Sequence, residues 1–430
     1  MNLKICHLLP HLGGGVGKAL SGLASQTINS SSGVQHLFIC LERPKKSQFV
    51  DLIRDCGYEV IVCPARDRLE EIIGDVDIVQ LEWWNHPATI KSLCSLSFPP
   101  IRFLIWCHVS GLHNPIIPQR LILASQKFLF TSPCSLEARE VVNVFPQVED
   151  RLDVVSSSGG FDELPKNICQ LNEDLSVGYI GSLNFAKLHP QYVDYLSAVD
   201  IPGFNVKLVG DITNQDILNK QCDVMGKAGM LDFRGYTPDI VSELTSINVL
   251  AYILNQEHYG TTENALLEAM AMGIVPIVLD NACERHIVDD HKTGLIVNSP
   301  YEFAEAMDWL YYNPDKRKKL GKQAARSVRK RFTAKTMEAS LNRHYQSLMT
   351  VEKREVVFAD IFGSDPADWF LSCQENKSIF AKDGNINFCN SISKKYILFE
   401  KSKGSVFHFN DYFPDNLNLR LWAKNLNPLQ

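Results

Sequence analysis

EHYGTTENALLEAMAMGIVPIV, residues 257–278, decides how the rest of the chain is read. Gly260, Thr261 and Thr262 supply a turn with N-cap chemistry. Asn264 to Met272 follows as a strong helix, which Gly273 ends, and a strand comes next. A loop opening such a helix exposes free backbone N–H groups at the positive end of the dipole, which suits a phosphate. On the helix, Asn264, Glu268 and Ala271 share one face, and Leu266, Leu267 and Met270 fall mostly on the other. Glu268 sits one turn in. A carboxylate there can accept two hydrogen bonds from a vicinal diol such as a ribose, each contributing roughly 1.5–3 kcal/mol when charged. The plainer reading of the same residues is a capped core helix whose Glu faces solvent.

Outward from this stretch, short apolar runs rich in β-branched residues recur: Leu3–Leu9, Val34–Leu41, Tyr58–Pro64, Val76–Glu82, Arg102–His108, Lys127–Thr131 and Leu152–Ser156. Helical periodicity separates several of them, as in Val16–Ile28 and Gln48–Cys56. The pattern restarts at Leu175–Leu183 and continues through Val206–Gly210, Leu231–Gly235, Val249–Leu254, Val275–Leu279 and Gly294–Val297. Strands alternating with helices predict α/β architecture: two Rossmann-like, doubly wound parallel sheets facing a cleft. The polar stretch Pro165–Asp174 is the expected linker. The expected domains are residues 1–170 and 171–332, a terminal helix within 333–350 that packs back on the first domain, and an appended segment, 351–430. That segment is richer in Asn, Ser, Lys and aromatics and shows no α/β alternation. Ligands of such folds bind beyond the carboxyl ends of the strands.

The 430 residues suit two to three domains, and 45% apolar with 21% charged residues is ordinary globular composition. A formal charge of −6 argues against a nucleic-acid partner. No apolar run reaches the ~18 residues of a membrane span. The first ten residues read as a β-strand rather than a signal peptide. The twelve cysteines include no C-x-x-C pair, and Cys6, Cys40, Cys63 and Cys107 lie in apolar strands, as buried thiols of a cytoplasmic protein.

EAMAMG-x-x-P-I-V resembles the signature of the family 4 retaining glycosyltransferases, which have the two-domain GT-B fold. The resemblance spans about residues 3–349. In that family a first Glu, before a Phe/Tyr-Gly pair, and a second Glu eight positions on bind the nucleotide sugar. Glu268 matches the second, which holds the ribose. Counting back eight lands on Gly260; Glu257, in Glu257-His258-Tyr259-Gly260, and Glu263 both remain candidates for the first. Gly181-Ser182-Leu183 with Lys187 resembles the family's Gly-Arg-Leu…Lys stretch, so Lys187 is expected to neutralise the diphosphate, with Ser182 in the place of an Arg. Lys292-Thr293-Gly294-Leu295 resembles a later turn, with His286 replacing a usual Glu. His11 to Gly17, HLGGGVG, fails both as a Walker loop and as G-x-G-x-x-G. It resembles the family's first-strand glycine loop, with Gly14 and Gly15 bordering the donor. His108 stands where the family often carries a His near the reacting sugar. Ser156 to Asp162 resembles an Asn-Gly-x-Asp loop but lacks the Asn.

What the resemblance implies is a retaining glycosyltransferase acting on a nucleoside diphosphate sugar donor and a glycan or other hydroxyl acceptor. Catalytic residues are expected at His108, Lys187 and Glu257. Donor binding is expected at Gly14, Gly15, Ser182, Lys187, Gly260, Thr261, Thr262, Glu263, Asn264, Leu267 and Glu268. No metal and no cofactor are expected. Asp75-Val76-Asp77 is formally D-x-D, but it precedes a strand instead of ending one in a cleft. The nine basic residues of Lys316–Arg331 read as a solvated helix face or as a peripheral contact with the inner face of a membrane. The aromatic tail around Phe407, Phe409, Tyr412, Phe413 and Trp422 is expected to pack against a domain or a second subunit, or to line an acceptor site. The rival readings are a sugar-nucleotide epimerase of the same fold and a non-catalytic nucleotide- or glycan-binding protein.

Overall fold

The computed structural model describes residues 3–30, 32–158, 160–161, 164–165, 174–237, 239–387 and 398–427. The chain forms two compact units. One comprises Met1–Ser158, Tyr259–Thr261 and Ala334–Gln430; the other comprises Gly159–His258 and Thr262–Thr333. Most of the expected linker, 166–173, lies outside the described residues.

The first unit holds β1 (Leu3–Leu9), β2 (Val34–Cys40), β3 (Glu59–Val62), β4 (Ile78–Trp83), β5 (Phe103–Cys107), β6 (Lys127–Phe130) and β7 (Leu152–Val154). They form one parallel sheet in the order β3-β2-β1-β4-β5-β6-β7. Every residue of β4 and β5 is buried, as a central strand with both faces covered requires. The strand order reverses between β1 and β4, and in open α/β sheets the crevice at such a reversal is where ligands bind.

The helix Ala334–Leu348 belongs to this unit, where Met337, Leu341, Tyr345 and Leu348 share a core with Leu20, Leu23 and Phe38. The described part of 351–430 is helical, with helices Ala359–Phe362, Pro366–Ser372, Val406–Tyr412 and Leu417–Leu426. Phe362, Trp369, Phe370, Phe409 and Trp422 are buried in one cluster with Trp83, Ile90 and Leu93. The tail aromatics therefore complete the core of the first unit.

The second unit holds β8 (Val177–Ile180), β9 (Val206–Val209), β10 (Leu231–Gly235), β11 (Val249–Tyr252), β12 (Val275–Leu279) and β13 (Leu295–Val297). The sheet is parallel in the order β10-β9-β8-β11-β12-β13, reversing between β8 and β11. The α/β reading with two Rossmann-like units is thus what the chain adopts. Gly210, after β9, has φ of 154°, and a Cβ there would lie 1.9 Å from the Gly181 carbonyl oxygen. Only glycine lets the chain ends of β8 and β9 pass so closely.

Three local readings change. Cys6, Cys40 and Cys107 are buried, but Cys63 is exposed with φ of 51°, because β3 ends one residue earlier at Val62. Asp75 pairs with Lys4 at 2.8 Å and Asp77 accepts from the Lys4 N–H at 2.9 Å, so this D-x-D ties together the amino ends of β1 and β4. In the basic helix Pro314–Arg331, Arg317 is buried and bonds the Leu310 carbonyl, and Arg329 reaches the carbonyls of Ala271, Phe161, Leu164 and Pro165. Part of that charge is structural, while Lys316, Lys319, Lys322, Arg326 and Lys330 remain exposed. Among the described residues no helix is long and apolar enough to cross a membrane.

Candidate functional site

In the second unit two loops leave the carboxyl ends of β8 and β11, the strands that flank the reversal. The loop after β8 carries Gly181, Ser182 and Lys187; the loop after β11 runs to the helix Asn264–Ala271. The loops are laced together by backbone and side chain. The Asn255 N–H donates to the Lys187 carbonyl at 2.8 Å, the Asn255 amide donates to the Phe185 carbonyl at 2.7 Å, and the His189 N–H donates to the Ile253 carbonyl at 3.1 Å. Lys187 is therefore placed by its backbone before its side chain meets anything.

The Lys187 ammonium donates to the Glu263 carboxylate, 2.6 Å from Oε2 and 2.9 Å from Oε1. The Tyr252 hydroxyl adds a bond to Glu263 Oε2 at 2.7 Å, and His258 Nδ1 stands 4.0 Å from Oε1. Burial alone would raise the Glu263 pKa, but Lys187 and His258 outweigh it and hold the carboxyl below its usual range. Burial would lower that of His258, but Glu284, which accepts from His258 Nε2 at 3.2 Å, outweighs it and raises the imidazole. Two cations and two carboxylates thus balance inside a buried cluster, the arrangement that makes buried charge tolerable.

The expected residues of this region fall as follows. Glu263, not Thr261 or Thr262, is the N-cap residue of the helix, with extended backbone and no side-chain cap bond. Its carboxylate is instead committed to Lys187 and Tyr252, which is why the cap chemistry read at the threonines is not used. The Thr261 hydroxyl accepts from Thr131 at 2.7 Å, and the Tyr259 carbonyl accepts from the Ser110 N–H at 2.9 Å; these contacts lie within the first unit. Gly260 is buried beside them. Glu268 is buried, at 8% exposure, rather than solvated. Asn264 lies one turn before it, and Asn264 Oδ1 is a buried acceptor with no hydrogen-bond partner among the described residues. Leu267 is fully buried in the second unit's core, so its side chain faces away from solvent. Glu257 is half-buried, and its N–H donates to Asn255 Oδ1 at 3.0 Å. Ser182 is next to Asp211, a carboxyl that burial would raise but that hydrogen bonds from Thr213, Ser182 and Leu183 hold low. An anion therefore stands beside the position where the resemblance places an Arg.

In the first unit, His11, Gly14 and Gly15 follow β1, Glu42 follows β2, Trp84 to His86 follow β4, and His108 follows β5. These are again carboxyl ends around the reversal. Gly14 has φ of 57°, and both Gly14 and Gly15 are exposed. His108 Nε2 lies 2.8 Å from Glu82 Oε2, and Glu82 is fully buried. The tail joins this edge: Lys403 Nζ donates to His11 Nε2 at 3.1 Å, and the rings of His408 and Tyr412 meet His86 at 4.8 and 5.5 Å. Burial, with the nearby positive charge of Lys403, depresses His11 to about 4, His86 to about 2 and His408 to about 4. Three neutral imidazoles, Trp84 and Glu42 make a surface of hydrogen-bonding groups and rings. Single-sequence reading missed Glu82, His86, Tyr252, His258 and Glu284, because no local motif links them to their partners, which for Glu82 and Glu284 lie 26 residues or more away.

Two clusters have metal-like composition, His11–Glu42–His86 and His258–Glu263–Glu284. The chain supplies its own cations to both. His86 Nδ1 accepts from the Ala88 N–H at 3.2 Å, so the proton of the neutral ring is on Nε2, the atom facing Glu42, and Lys403 covers His11 Nε2. In the second cluster Lys187 and a protonated His258 serve the carboxylates.

The family model described as Glycosyl transferases group 1 matches residues 162–327, nearly the whole second unit. The Bacillus subtilis (strain 168) protein EpsD, named as a glycosyltransferase, is 24% identical over 189 residues, 42% of this chain and 48% of EpsD. The match thus spans about half the length of that curated relative. A solved glycosyltransferase from Rickettsia africae ESF-5 superposes with a TM-score of 0.63 at 17% identity, over 81% of this chain and 99% of that one. Anabaena HepE, solved with UDP, gives 0.62 at 16% identity over 81% and 100%. Sucrose-phosphate synthase from Thermosynechococcus elongatus gives 0.60 at 14% identity over 81% and 99%. Fold and site define a class: a GT-B chain of two Rossmann-like units. The match to the group 1 glycosyl transferases lies within the second of them.

Proposed function

We propose that the chain transfers a sugar from a nucleoside diphosphate sugar to a hydroxyl acceptor, with retention of configuration. The observation that carries this reading is the convergence of Lys187 and the amino end of the helix Asn264–Ala271 at the β8/β11 reversal, locked by the Asn255 bonds. The diphosphate is held by the Lys187 ammonium and the helix amino end. These groups are in place before reaction and face charge that develops as the sugar leaves. Glu268 accepts from the ribose hydroxyls, and the orphaned Asn264 Oδ1 accepts from a further hydroxyl on the same helix face. His108 meets a hydroxyl of the reacting sugars. No side chain need become covalently attached.

HepE has also been solved with UDP-glucose, which makes uridine diphosphate sugars the first donors to test. A thermal-shift panel of nucleoside diphosphates, followed by UDP-sugar turnover with and without added glycosides, tests the reading. One diphosphate raising the melting temperature, with release of that diphosphate on turnover, supports it. A panel in which no nucleotide shifts the transition overturns it.

A second reading, a nucleotide-binding protein without turnover, is favoured by one feature: Lys187 is neutralised by Glu263, and Asp211 lies beside Ser182. Nucleotide binding with no turnover of any donor in the parent would select it. Peripheral attachment to an anionic membrane falls to the exposed lysines of Pro314–Arg331, and vesicle co-sedimentation tests it.

A further inference from the structure

A chain of buried polar groups runs behind His108 inside the first unit. Glu82, on β4, is fully buried, and its carboxylate oxygens only accept. Glu82 Oε2 therefore takes the Nε2–H of His108 at 2.8 Å. Glu82 Oε1 takes the Nδ1–H of His7 at 2.8 Å and the amide N–H of Gln80 at 2.7 Å. Gln80 Oε1 in turn accepts from the Tyr345 hydroxyl at 2.7 Å. His7 Nε2 faces His36 Nδ1 at 2.9 Å, and His36 Nε2 faces the Thr27 hydroxyl at 3.3 Å. His7, Gln80, Glu82 and His36 are all buried.

The protons of this chain can be counted. Thr27 has one hydroxyl proton, and its shorter bond, 2.9 Å, goes to the Leu23 carbonyl. Its oxygen is then left to accept, so His36 carries its proton on Nε2. Burial keeps His36 neutral, so its Nδ1 is a bare acceptor and the proton between the two rings belongs to His7 Nε2. His7 then holds protons on both nitrogens and is the cation that neutralises Glu82. The Glu82 charge is met from behind, and His108 has no need to carry one.

We propose that Glu82, with His7 as its counterion, is a positioning residue that fixes His108 as a neutral ring with its proton on Nε2 and a bare Nδ1 offered to a substrate hydroxyl. No protein group among the described residues bonds Nδ1. The ring is further confined by Trp106, at 4.8 Å between centroids, and by Trp84 at 6.2 Å. Trp106 is itself pinned by its Nε1–H bond to the Val155 carbonyl at 2.9 Å. What meets Nδ1 rests on the glycosyl-transfer reading above; the protonation pattern does not.

The titratable groups facing Glu82 are His7 on β1, His108 after β5 and, beyond Gln80, Tyr345 on the helix Ala334–Leu348; His36 on β2 faces His7. Ring nitrogen NMR of the full chain labelled with 15N-histidine reads the three histidines, with His108→Gln and His7→Gln assigning the signals. The parent is expected to show His7 doubly protonated and His108 protonated on Nε2 alone. In Glu82→Gln the second proton of His7 is lost and His108 no longer holds one tautomer. In His7→Gln the counterion must come from elsewhere, and His108 becomes doubly protonated. Tyr345→Phe, which cuts the far end of the chain, leaves His108 unchanged. With UDP-glucose as probe, Glu82→Gln lowers kcat/KM by roughly tenfold, and adding it to His108→Gln costs nothing more. A parent His108 carrying its proton on Nδ1 overturns the assignment without any variant. So does a Glu82→Gln ring identical to the parent's, or single losses that multiply. If the NMR pattern holds while UDP-glucose is untouched, the positioning assignment stands and the donor reading fails.

Discussion

Replacing Lys187 with Ala separates what this residue does for the fold from what it does for a ligand. Its side chain is 19% exposed and that of Glu263 is 4% exposed, so the 2.6 Å pair is largely out of water. Removing one partner of a buried pair costs about 3–5 kcal/mol, because the other charge stays behind. Here Glu263 keeps the Tyr252 hydroxyl at 2.7 Å and His258 at 4.0 Å, so the loss should lie at the low end, about 3 kcal/mol. For a unit of this size that is a drop of roughly 6–12 °C in melting temperature. A second loss should appear in binding. A charged hydrogen bond contributes about 1.5–3 kcal/mol, so UDP affinity should fall about 10- to 150-fold. Scanning calorimetry and titration calorimetry measure the two effects. The Lys187→Ala, Glu263→Gln double variant removes the stranded carboxylate, so it should recover most of the stability and none of the affinity. Glu263→Gln alone frees the ammonium and should strengthen UDP binding. Unchanged UDP affinity in Lys187→Ala would refute the assignment of Lys187 to the diphosphate. A double variant as unstable as the single one would refute the stranded-charge argument.

Glu268→Gln should weaken UDP about tenfold by titration calorimetry and leave pyrophosphate binding unchanged, since the carboxylate is assigned to the ribose. The stability of the second unit should be greatest between pH 4.5 and 6.5, the ordinary values for Glu and His. The depressed Glu263 contributes stability that is present above 4.5 and lost as pH falls through its lowered value. The elevated His258 contributes stability that is present below 6.5 and lost as pH rises through its raised value. Melting curves across pH 3–9, with His258→Gln flattening the alkaline side, check both. Trp422 is 1% exposed, with Nε1–H bonded to the Ala381 carbonyl; Trp422→Ala should cost about 3–5 kcal/mol and lower the first unit's transition, leaving the second unit's in place.

The sheets were legible because parallel strands are buried on both faces and read as continuous apolar runs; Phe103–Cys107 and Val275–Leu279 could hardly be anything else. Lys187 and Glu268 were legible because each sits in a short local pattern. The tail was not. Its helices Val406–Tyr412 and Leu417–Leu426 span 7 and 10 residues, and their apolar faces fit a core made by residues more than 300 positions earlier. Periodicity over two turns cannot name so distant a partner. The threonine cap failed for a related reason. Spacing showed a threonine at the right place, but a buried cation 76 residues away determined which carboxylate took the helix start.

What distance in sequence hides, topology explains. Both sheets reverse their strand order once, β1 to β4 in the first unit and β8 to β11 in the second. At a reversal the helices of the two neighbouring strands go to opposite faces, leaving a crevice at the strand ends where polar side chains can gather. His11, Glu42, His86 and His108 collect at one reversal, and Lys187, His258, Glu263 and Glu268 at the other. The charges at each are then fixed from behind by groups that never reach a ligand: Glu82 and His7 in the first unit, Tyr252 and Glu284 in the second. A substitution in that rear layer should alter protonation at the front without removing any group that touches substrate. It is therefore the rear layer, not the motif residues, that distinguishes a working site from a fold that merely keeps the motifs.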